Sequence, residues 1–275
     1  MTDLVVRRLL IDLDTPFPGR WNGGDAFRSA FFNALSQSFP SGEQYFIDAV
    51  REGLKSLPED RRDRLAAEVQ GFIGQEATHR RIHTLFNANL DRLGFDNGIE
   101  RWTEARRKAH AGDDLRNKVA ATAATEHFTA IFADWLLHHP ESLAGAEPRL
   151  RTLWQWHSAE ESEHRNTAFD MYQAMGGNHV WRIKVFKYIT FVFLYDVLRQ
   201  TLLNLWHDDR AVLRPSTWRS AWRLWFARDG MIRGNYGLWK AYLAPDFHPS
   251  QQPAPLARPW LDTNTGQYTV VGRSA

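Results

Sequence analysis

Two Glu-x-x-His units constrain the fold of this chain more than any other feature of its sequence. Glu76 and His79 form the first unit, and Glu161 and His164 form the second. The apolar residues around each unit recur at helical spacing, which puts the glutamate and the histidine on one face of a helix. Two helices that each present an acid and an imidazole are typical of a metal site shared between helices.

The second unit is preceded by a further histidine on the same face. His157 lies four residues before Glu161, so it falls with the unit inside an arc of about 60°. Leu153 and Met171 extend this stripe, which therefore faces the core. A carboxylate in that position needs a compensating charge, because burial of an isolated anion is very costly.

The first unit has a similar environment. His83 follows His79 by four residues, and Phe72 lies just before the unit. Gly71 and Gly74 each cost about 1 kcal/mol inside a helix relative to alanine. We therefore expect another helix to approach closely at this point.

Two single glutamates complete the set. Glu126 lies among small apolar residues such as Ala123 and Ala130, and Glu43 shares a helix face with Val50. We expect both carboxylates to point inward. For Glu43 the alternative is a dipole or capping interaction at the start of a helix.

The order Glu, Glu-x-x-His, Glu, Glu-x-x-His is the ligand set of ferritin-like bundles that bind two metal ions. Four carboxylates at close range repel one another, and two divalent cations would neutralise them. The chain has no cysteine, so its metal ligands have to be carboxylates and imidazoles. The predicted cofactors are two divalent metal ions, with iron first and manganese or zinc as alternatives.

Helix signals predict an all-α fold, namely a ferritin-like four-helix bundle with additional C-terminal helices. Pro40 to Gly42 is expected to separate two helices with Ser41 as a cap, and the helix of the second unit is expected to run to Gly176. The predicted segments are an irregular lead (1–40), a dimetal-binding bundle (41–177), basic Trp-rich helices packed on the bundle (178–250) and an extended tail (251–275).

Residues 181–240 contain eleven Lys or Arg, four acids and six of the twelve tryptophans. This composition predicts either peripheral contact with an anionic membrane or docking of the last helices on the bundle. The apolar stretch from Val180 to Trp206 is interrupted by charged residues such as Lys184 and Asp196. We therefore expect it to be a buried helix and not a membrane span.

The absence of cysteine and of an apolar leader in residues 1–20 favours a cytoplasmic protein, with peripheral membrane attachment as an extension. No nucleic-acid partner is expected, because the basic residues form no known binding motif. A homodimer is left open as the assembly.

Residues 40–250 resemble a bacterial family described as predicted metal-dependent hydrolases. The second Glu-x-x-His unit, preceded by His157, is also similar to ferritin-like di-iron oxygenases such as the arylamine N-oxygenases, which have a third histidine. The family resemblance rests on six segments: Phe39 to Glu43, Gln75 to His79, Thr125 to His127, His157 to Arg165, Gly230 to Arg233 and Asp246 to Pro249.

The resemblance implies a set of metal ligands and of supporting residues. His157 is either a ligand or a core histidine bonded to a carbonyl, and His83 is either a ligand or a support. Gln75 and Glu160 each precede a ligand glutamate, where such bundles hold the histidine of the opposite helix, although both could be solvated. The implied ligands are Glu43, Glu76, His79, Glu126, His157, Glu161 and His164.

The function implied by the oxygenase resemblance is activation of O2 at two iron ions and oxidation of a small organic or acyl substrate, with a separate electron donor. Hydrolysis is the rival, because two metal ions would lower the pKa of a bridging water and polarise an ester or phosphoryl oxygen. A third alternative is a non-catalytic metal-binding or membrane-peripheral protein. Oxidation by O2 is the leading prediction, hydrolysis follows it, and a non-catalytic role comes third.

Overall fold

The computed structural model describes residues 4–272. Its main elements are ten α-helices and one pair of strands. Over these residues the protein is all-α, as predicted, apart from β1 (Arg7–Leu9) and β2 (Tyr268–Val270), which pair antiparallel. The helices are α1 (Ala26–Ser56), α2 (Glu59–Arg92), α3 (Gly98–Ala109), α4 (Leu115–His138), α5 (Pro148–His164), α6 (Thr167–Ala174), α7 (His179–His207), α8 (Pro215–Trp225), α9 (Met231–Ala241) and α10 (Ala257–Thr263).

The centre of the protein is a group of four helices. α1 packs along α2 and α4 packs along α5, while contacts of α1 with α4 and of α2 with α5 join the two pairs. Buried apolar side chains such as Phe86, Trp156 and Val119 fill the interior. The C-terminal helices α7 and α9 pack on the outside of α4, and α7 also covers α1.

Pro40 lies inside α1 and does not separate two helices. The helix begins after Asp25, whose side chain accepts a hydrogen bond from the backbone N–H of Arg28. The hydroxyl of Ser41 donates to a carbonyl within the same helix and caps nothing. The predicted break at Pro40 and the cap at Ser41 are therefore wrong, and α1 crosses the segment boundary predicted at residue 40.

A side chain of α2 compensates for the proline. Because Pro40 has no N–H, the carbonyl oxygen of Ser36 lacks its usual helical partner. The side-chain amide of Asn87 donates to that oxygen at 2.9 Å. The helix thus continues through the proline with its free acceptor satisfied by a neighbouring helix.

The helix that carries the second Glu-x-x-His unit ends earlier than predicted, at His164. A turn at Arg165 and Asn166 follows, and α6 begins at Thr167. Neither turn residue is a glycine or a proline, so the sequence contains no break signal here. The hydroxyl of Thr167 donates to Glu68 at 2.9 Å, which ties the start of α6 to α2.

The C-terminal segment through Gly272 is folded onto the protein, so the prediction of an extended tail is wrong for residues 251–272, and residues 273–275 lie outside the described residues. α10 packs against α5, and β2 pairs with β1 near the other end of the chain. The side chain of Tyr268 also packs against the main apolar core.

α7 exposes nine large apolar side chains, so the prediction of a buried helix is wrong. Phe186 and Val197 are buried, whereas the opposite side of the helix faces solvent. No helix within residues 4–272 combines the length and the apolar character that crossing a bilayer requires. We define the apolar face of α7 as Val180, Trp181, Tyr188, Phe191, Leu194, Tyr195, Leu198, Leu203 and Trp206.

Gly71 and Gly74 allow the N-terminal segment to cross α2. A Cβ at Gly71 would lie 2.5 Å from the Cβ of Leu4, and one at Gly74 would overlap the side chain of Val6. The sequence correctly predicted a close approach at these glycines. The approaching element is a non-helical segment, however, and not the helix that we expected.

Gly71→Ala is expected to lower the free energy of unfolding by about 1 to 3 kcal/mol, because the added methyl has to displace Leu4. Gly237→Ala is the matched control, since Gly237 lies in α9 with open space around its Cβ position. The control should stabilise the protein by up to about 1 kcal/mol through helix propensity. Urea unfolding measures both, and equal effects of the two substitutions would contradict this packing.

Candidate metal centre

Seven acidic and imidazole side chains meet in the interior between α1, α2, α4 and α5. Each of the seven is at most 4% exposed. The fold therefore brings together every residue that the sequence singled out as a metal ligand. They are Glu43 from α1, Glu76 and His79 from α2, Glu126 from α4, and His157, Glu161 and His164 from α5.

The potential ligand atoms of these side chains form two groups. Within each group, one ligand atom from every member lies within 4.8 Å of the others. His83, which the sequence left as a ligand or a support, belongs to the second group. The groups are Glu76, His79, Glu161 and His164, and Glu43, His83 and His157.

Glu161 links the two groups. Its Oε1 lies 3.4 Å from Nδ1 of His79 and 2.9 Å from Nε2 of His157. Glu126 lies next to the first group, with Oε2 at 3.0 Å from Nδ1 of His164. The two groups therefore adjoin in one continuous centre, and each group could hold an ion.

Ten buried side-chain atoms at this centre have no hydrogen-bond partner among the described residues. Buried polar atoms are almost always paired, and an unpaired one costs about 1 to 3 kcal/mol. Divalent cations satisfy carboxylate oxygens and imidazole nitrogens together, so this donor set fits bound metal. The ten atoms are both carboxylate oxygens of Glu43, Glu76 and Glu126, Oε2 of Glu161, Nδ1 of His79, and both ring nitrogens of His164.

Burial makes ionisation of most carboxylates at this centre unfavourable. Burial raises the pKa of Glu43, Glu76 and Glu126 above the usual carboxyl range, because the ionised forms lose their hydration. Burial also acts to raise the pKa of Glu161, but the charge of His164 outweighs it and holds this pKa well below its usual value. A cation among these oxygens would remove the penalty that burial imposes.

Glu160 orients His79. Its Oε2 lies 3.0 Å from Nε2 of His79, while its Oε1 accepts a hydrogen bond from Arg7 at 3.0 Å. Because Nε2 is held by Glu160, Nδ1 is the ring nitrogen of His79 that faces the centre, and its lone pair would become available once a metal ion displaced the Nδ1 proton. Burial acts to lower the pKa of His79, but the hydrogen bond to Glu160 and the close contact with the Glu161 carboxylate outweigh burial and raise it to about 10.

Arg7 connects this arrangement to the N-terminal strand. It also donates to Glu163 at 2.7 Å, and the side-chain amide of Gln75 donates to the same carboxylate at 3.0 Å. Glu160 of α5 thus contacts His79 of α2 directly. Gln75 contacts Glu163, which is joined to Glu160 through Arg7. Sequence reasoning missed Arg7, because only the tertiary fold brings β1 against α5.

A hydrogen-bonded chain fixes the proton positions of His83 and His157. Asn87 donates to the carbonyl of Ser36, so its Oδ1 accepts the Ser36 hydroxyl proton at 2.8 Å. Ser36 Oγ then accepts from Nδ1 of His83 at 2.9 Å. Nε2 of His83 is left with its lone pair and accepts from Nδ1 of His157 at 2.6 Å.

His157 consequently turns the lone pair of Nε2 toward Oε1 of Glu161, which is 2.9 Å away. Burial lowers the pKa of His157 to about 4, so this nitrogen is unprotonated at neutral pH. Two acceptor atoms this close repel each other unless a cation lies between them. Their separation also suits adjacent ligands on one ion, each about 2.1 Å from the metal.

Two cavities border the centre. The larger has a volume of about 240 Å³ and reaches Glu43, and the smaller has a volume of about 50 Å³ and reaches His157 and Glu161. Phe39 and Phe193 line both, which places the two spaces next to each other. The metal-ligand cluster is therefore accessible to a small molecule.

The larger cavity is mainly apolar. Ile99, Val185, Ile189 and Val192 are among its lining residues, contributed by α3 and α7. Two charged pairs lie within the lining, Arg106 with Asp196 at 2.8 Å and His110 with Asp113 at 3.2 Å. The space therefore favours a substrate with an apolar body.

The family model described as predicted metal-dependent hydrolase matches residues 5–253. The chain belongs to this family. The family resemblance drawn from the sequence is thus confirmed, and it supports an enzyme that depends on bound metal. No curated protein and no solved structure matches the chain. The likeness to the arylamine N-oxygenases therefore stays a prediction.

The raised pKa values predict how stability depends on pH after metal is removed with a chelator. In the folded chain the pKa of His79 is raised to about 10. Burial acts to lower the pKa of His164, but Glu161 and Glu126 outweigh burial and raise it. Both histidines therefore keep protons that the unfolded chain releases above pH 6.5. The buried glutamates with raised pKa act in the same direction. The free energy of unfolding should therefore fall from pH 7 to pH 9, by about 1.4 kcal/mol per pH unit for each extra proton held.

Manganese should reverse this dependence, since metal binding displaces protons from the ligands and strengthens as pH rises. Urea unfolding at pH 7 and pH 9, with chelator and with excess Mn²⁺, measures both curves. Parallel curves in the two conditions would argue against metal binding at these residues.

Proposed function

We propose that this protein is a hydrolase that uses two divalent metal ions to cleave a substrate with an apolar body. The single observation that carries the proposal is the cluster of ten unpartnered ligand atoms beside an apolar cavity. Membership of the predicted metal-dependent hydrolase family supports the reaction class.

The ligand set follows from the geometry of each side chain. His79 would bind through Nδ1, because Glu160 takes the proton of its other nitrogen. His157 would bind through Nε2, because His83 accepts the proton of its Nδ1. His83 is then an orienting residue. The proposed ligands are Glu43, Glu76, His79, Glu126, His157, Glu161 and His164.

Bound metal would supply Lewis acidity and lower the pKa of a coordinated water. The protein contributes a rigid frame, because ligands from four helices are held by hydrogen bonds and packing. Phe39 and Phe193 lie where the two cavities adjoin, so they would position an apolar substrate group beside the ligands. Apolar walls also limit competing water.

Oxidation by O2 is the second candidate, and the ligand chemistry favours it. Four glutamates with one or two histidines per ion form an oxygen-rich set that suits iron or manganese. Such ligand sets occur in ferritin-like di-iron bundles. This candidate needs iron and an external electron donor, and its substrate would be a small organic or acyl compound in the same cavity.

Metal analysis tests the centre itself. The full chain should bind about two divalent ions, and Glu126→Gln should retain at most one, because Glu126 is the carboxylate beside His164. Glu52→Gln is the matched control, since Glu52 is exposed and paired only with Lys55 on the surface of α1. Equal metal content in both variants would contradict the assignment of Glu126.

Turnover measured with and without O2 distinguishes hydrolysis from oxidation. A hydrolase should cleave aryl esters of medium-length acyl chains equally well with and without O2, and chelation or Glu126→Gln should reduce the rate at least about 100-fold. An O2-dependent enzyme should instead consume O2 after reduction of the iron-loaded protein and leave the esters intact. Absence of both activities in protein that contains two ions would contradict an enzymatic function toward these probes.

A further inference from the structure

Most of the apolar face of α7 is uncovered within residues 4–272, although the indole of Trp181 donates to Asn117 at 3.2 Å. Phe191 is 68% exposed and Trp206 is 54% exposed. From Val180 to Trp206 the face extends for about 40 Å along the helix axis. Exposed apolar surfaces of this extent mark a contact with another protein or with a membrane.

The charges on this side of α7 all have one sign. Lys184, Lys187 and Arg199 are exposed along the helix. Every residue of α7 is described, and its exposed positions include no aspartate or glutamate. Asp196 is buried and paired with Arg106. Aromatic, aliphatic and basic side chains on one helix face are the composition that binds the interface of an anionic bilayer.

α8 repeats this composition. Trp218 and Trp222 are exposed, and the neighbouring Arg219 and Arg223 are exposed with them. Indole rings prefer the headgroup level of a bilayer, where arginine can reach lipid phosphates. The basic Trp-rich character of residues 181–240 is therefore at least partly a surface property and not only a packing property.

Charge also argues against a second copy of the chain as the occupant of this face. In a two-fold contact through α7, the cations of one copy would face the cations of the other. Such like-charge contacts are unfavourable. Anionic headgroups, in contrast, neutralise Lys184, Lys187 and Arg199 while the aromatic side chains enter the bilayer surface.

We propose that α7 lies on the surface of an anionic bilayer, with its apolar face in the headgroup region. Tyr188 belongs to this face and also lines the larger cavity, so the cavity lies directly beside the docked surface. An apolar substrate would then reach the metal centre from the bilayer. This last step rests on the proposed function, whereas the docking does not.

Vesicle flotation of the full metal-loaded chain tests the docking. The protein should float with vesicles that contain phosphatidylglycerol and not with vesicles of phosphatidylcholine alone, and high salt should weaken the binding. Lys184→Gln with Lys187→Gln should weaken it about 25-fold, since each lysine near an anionic surface contributes about fivefold. The matched control is Arg62→Gln with Arg81→Gln, two exposed cations of α2, which should leave binding unchanged.

Phe191→Ser should weaken flotation at least about tenfold through lost apolar burial. Leu10→Ser, which alters an exposed apolar residue away from α7, should not. Equal flotation with both vesicle types, or no effect of Phe191→Ser, overturns the proposal. So does a stable dimer in light scattering that Phe191→Ser separates into monomers. Metal content and turnover of a soluble ester should be unchanged in all these variants, which separates this test from that of the proposed function.

Discussion

Four buried glutamates in one small volume are the constraint on which the rest of the structure depends. Each of α1, α2, α4 and α5 contributes one of them, so the repulsion between carboxylates acts directly against the packing of the four helices. Cations bound at the centre would change that repulsion into a cross-link. Helix packing and metal binding would then be linked, and the stability of the fold would depend on the occupancy of the site.

The surrounding structure fixes the histidines for this purpose. Pro40 frees one carbonyl of α1, Asn87 occupies it, and the resulting hydrogen bonds determine which nitrogen of His157 faces the centre. On the other side, Arg7 holds Glu160 against His79. Contacts of Asn87 and of Arg7 thus determine which ring nitrogen of His157 and of His79 faces the centre. Such partners are often as necessary for metal affinity as the ligands themselves.

The sequence predicted the all-α fold and the convergence of the ligand residues, because periodicity three and four within a helix depends only on local geometry. It failed where tertiary contacts decide. Asn87 occupies the carbonyl that Pro40 leaves without a helical partner, so the helix continues. The start of α6 is held by the hydrogen bond from Thr167 to α2, and Arg7 reaches α5 only because β1 packs there. It also failed for α7, since an apolar stretch does not reveal whether its second face has a partner. The sequence around Phe191 predicts a core residue, whereas the structure exposes its side chain.

The central claim is that two metal ions lie among the four helices, and anomalous diffraction tests it most directly. Crystals of the full chain grown with Mn²⁺ should show two strong anomalous peaks among Glu43, Glu76, His79, Glu126, His157, Glu161 and His164. Well-ordered crystals that show no peak at these residues, or a single ion bound elsewhere, would contradict the account.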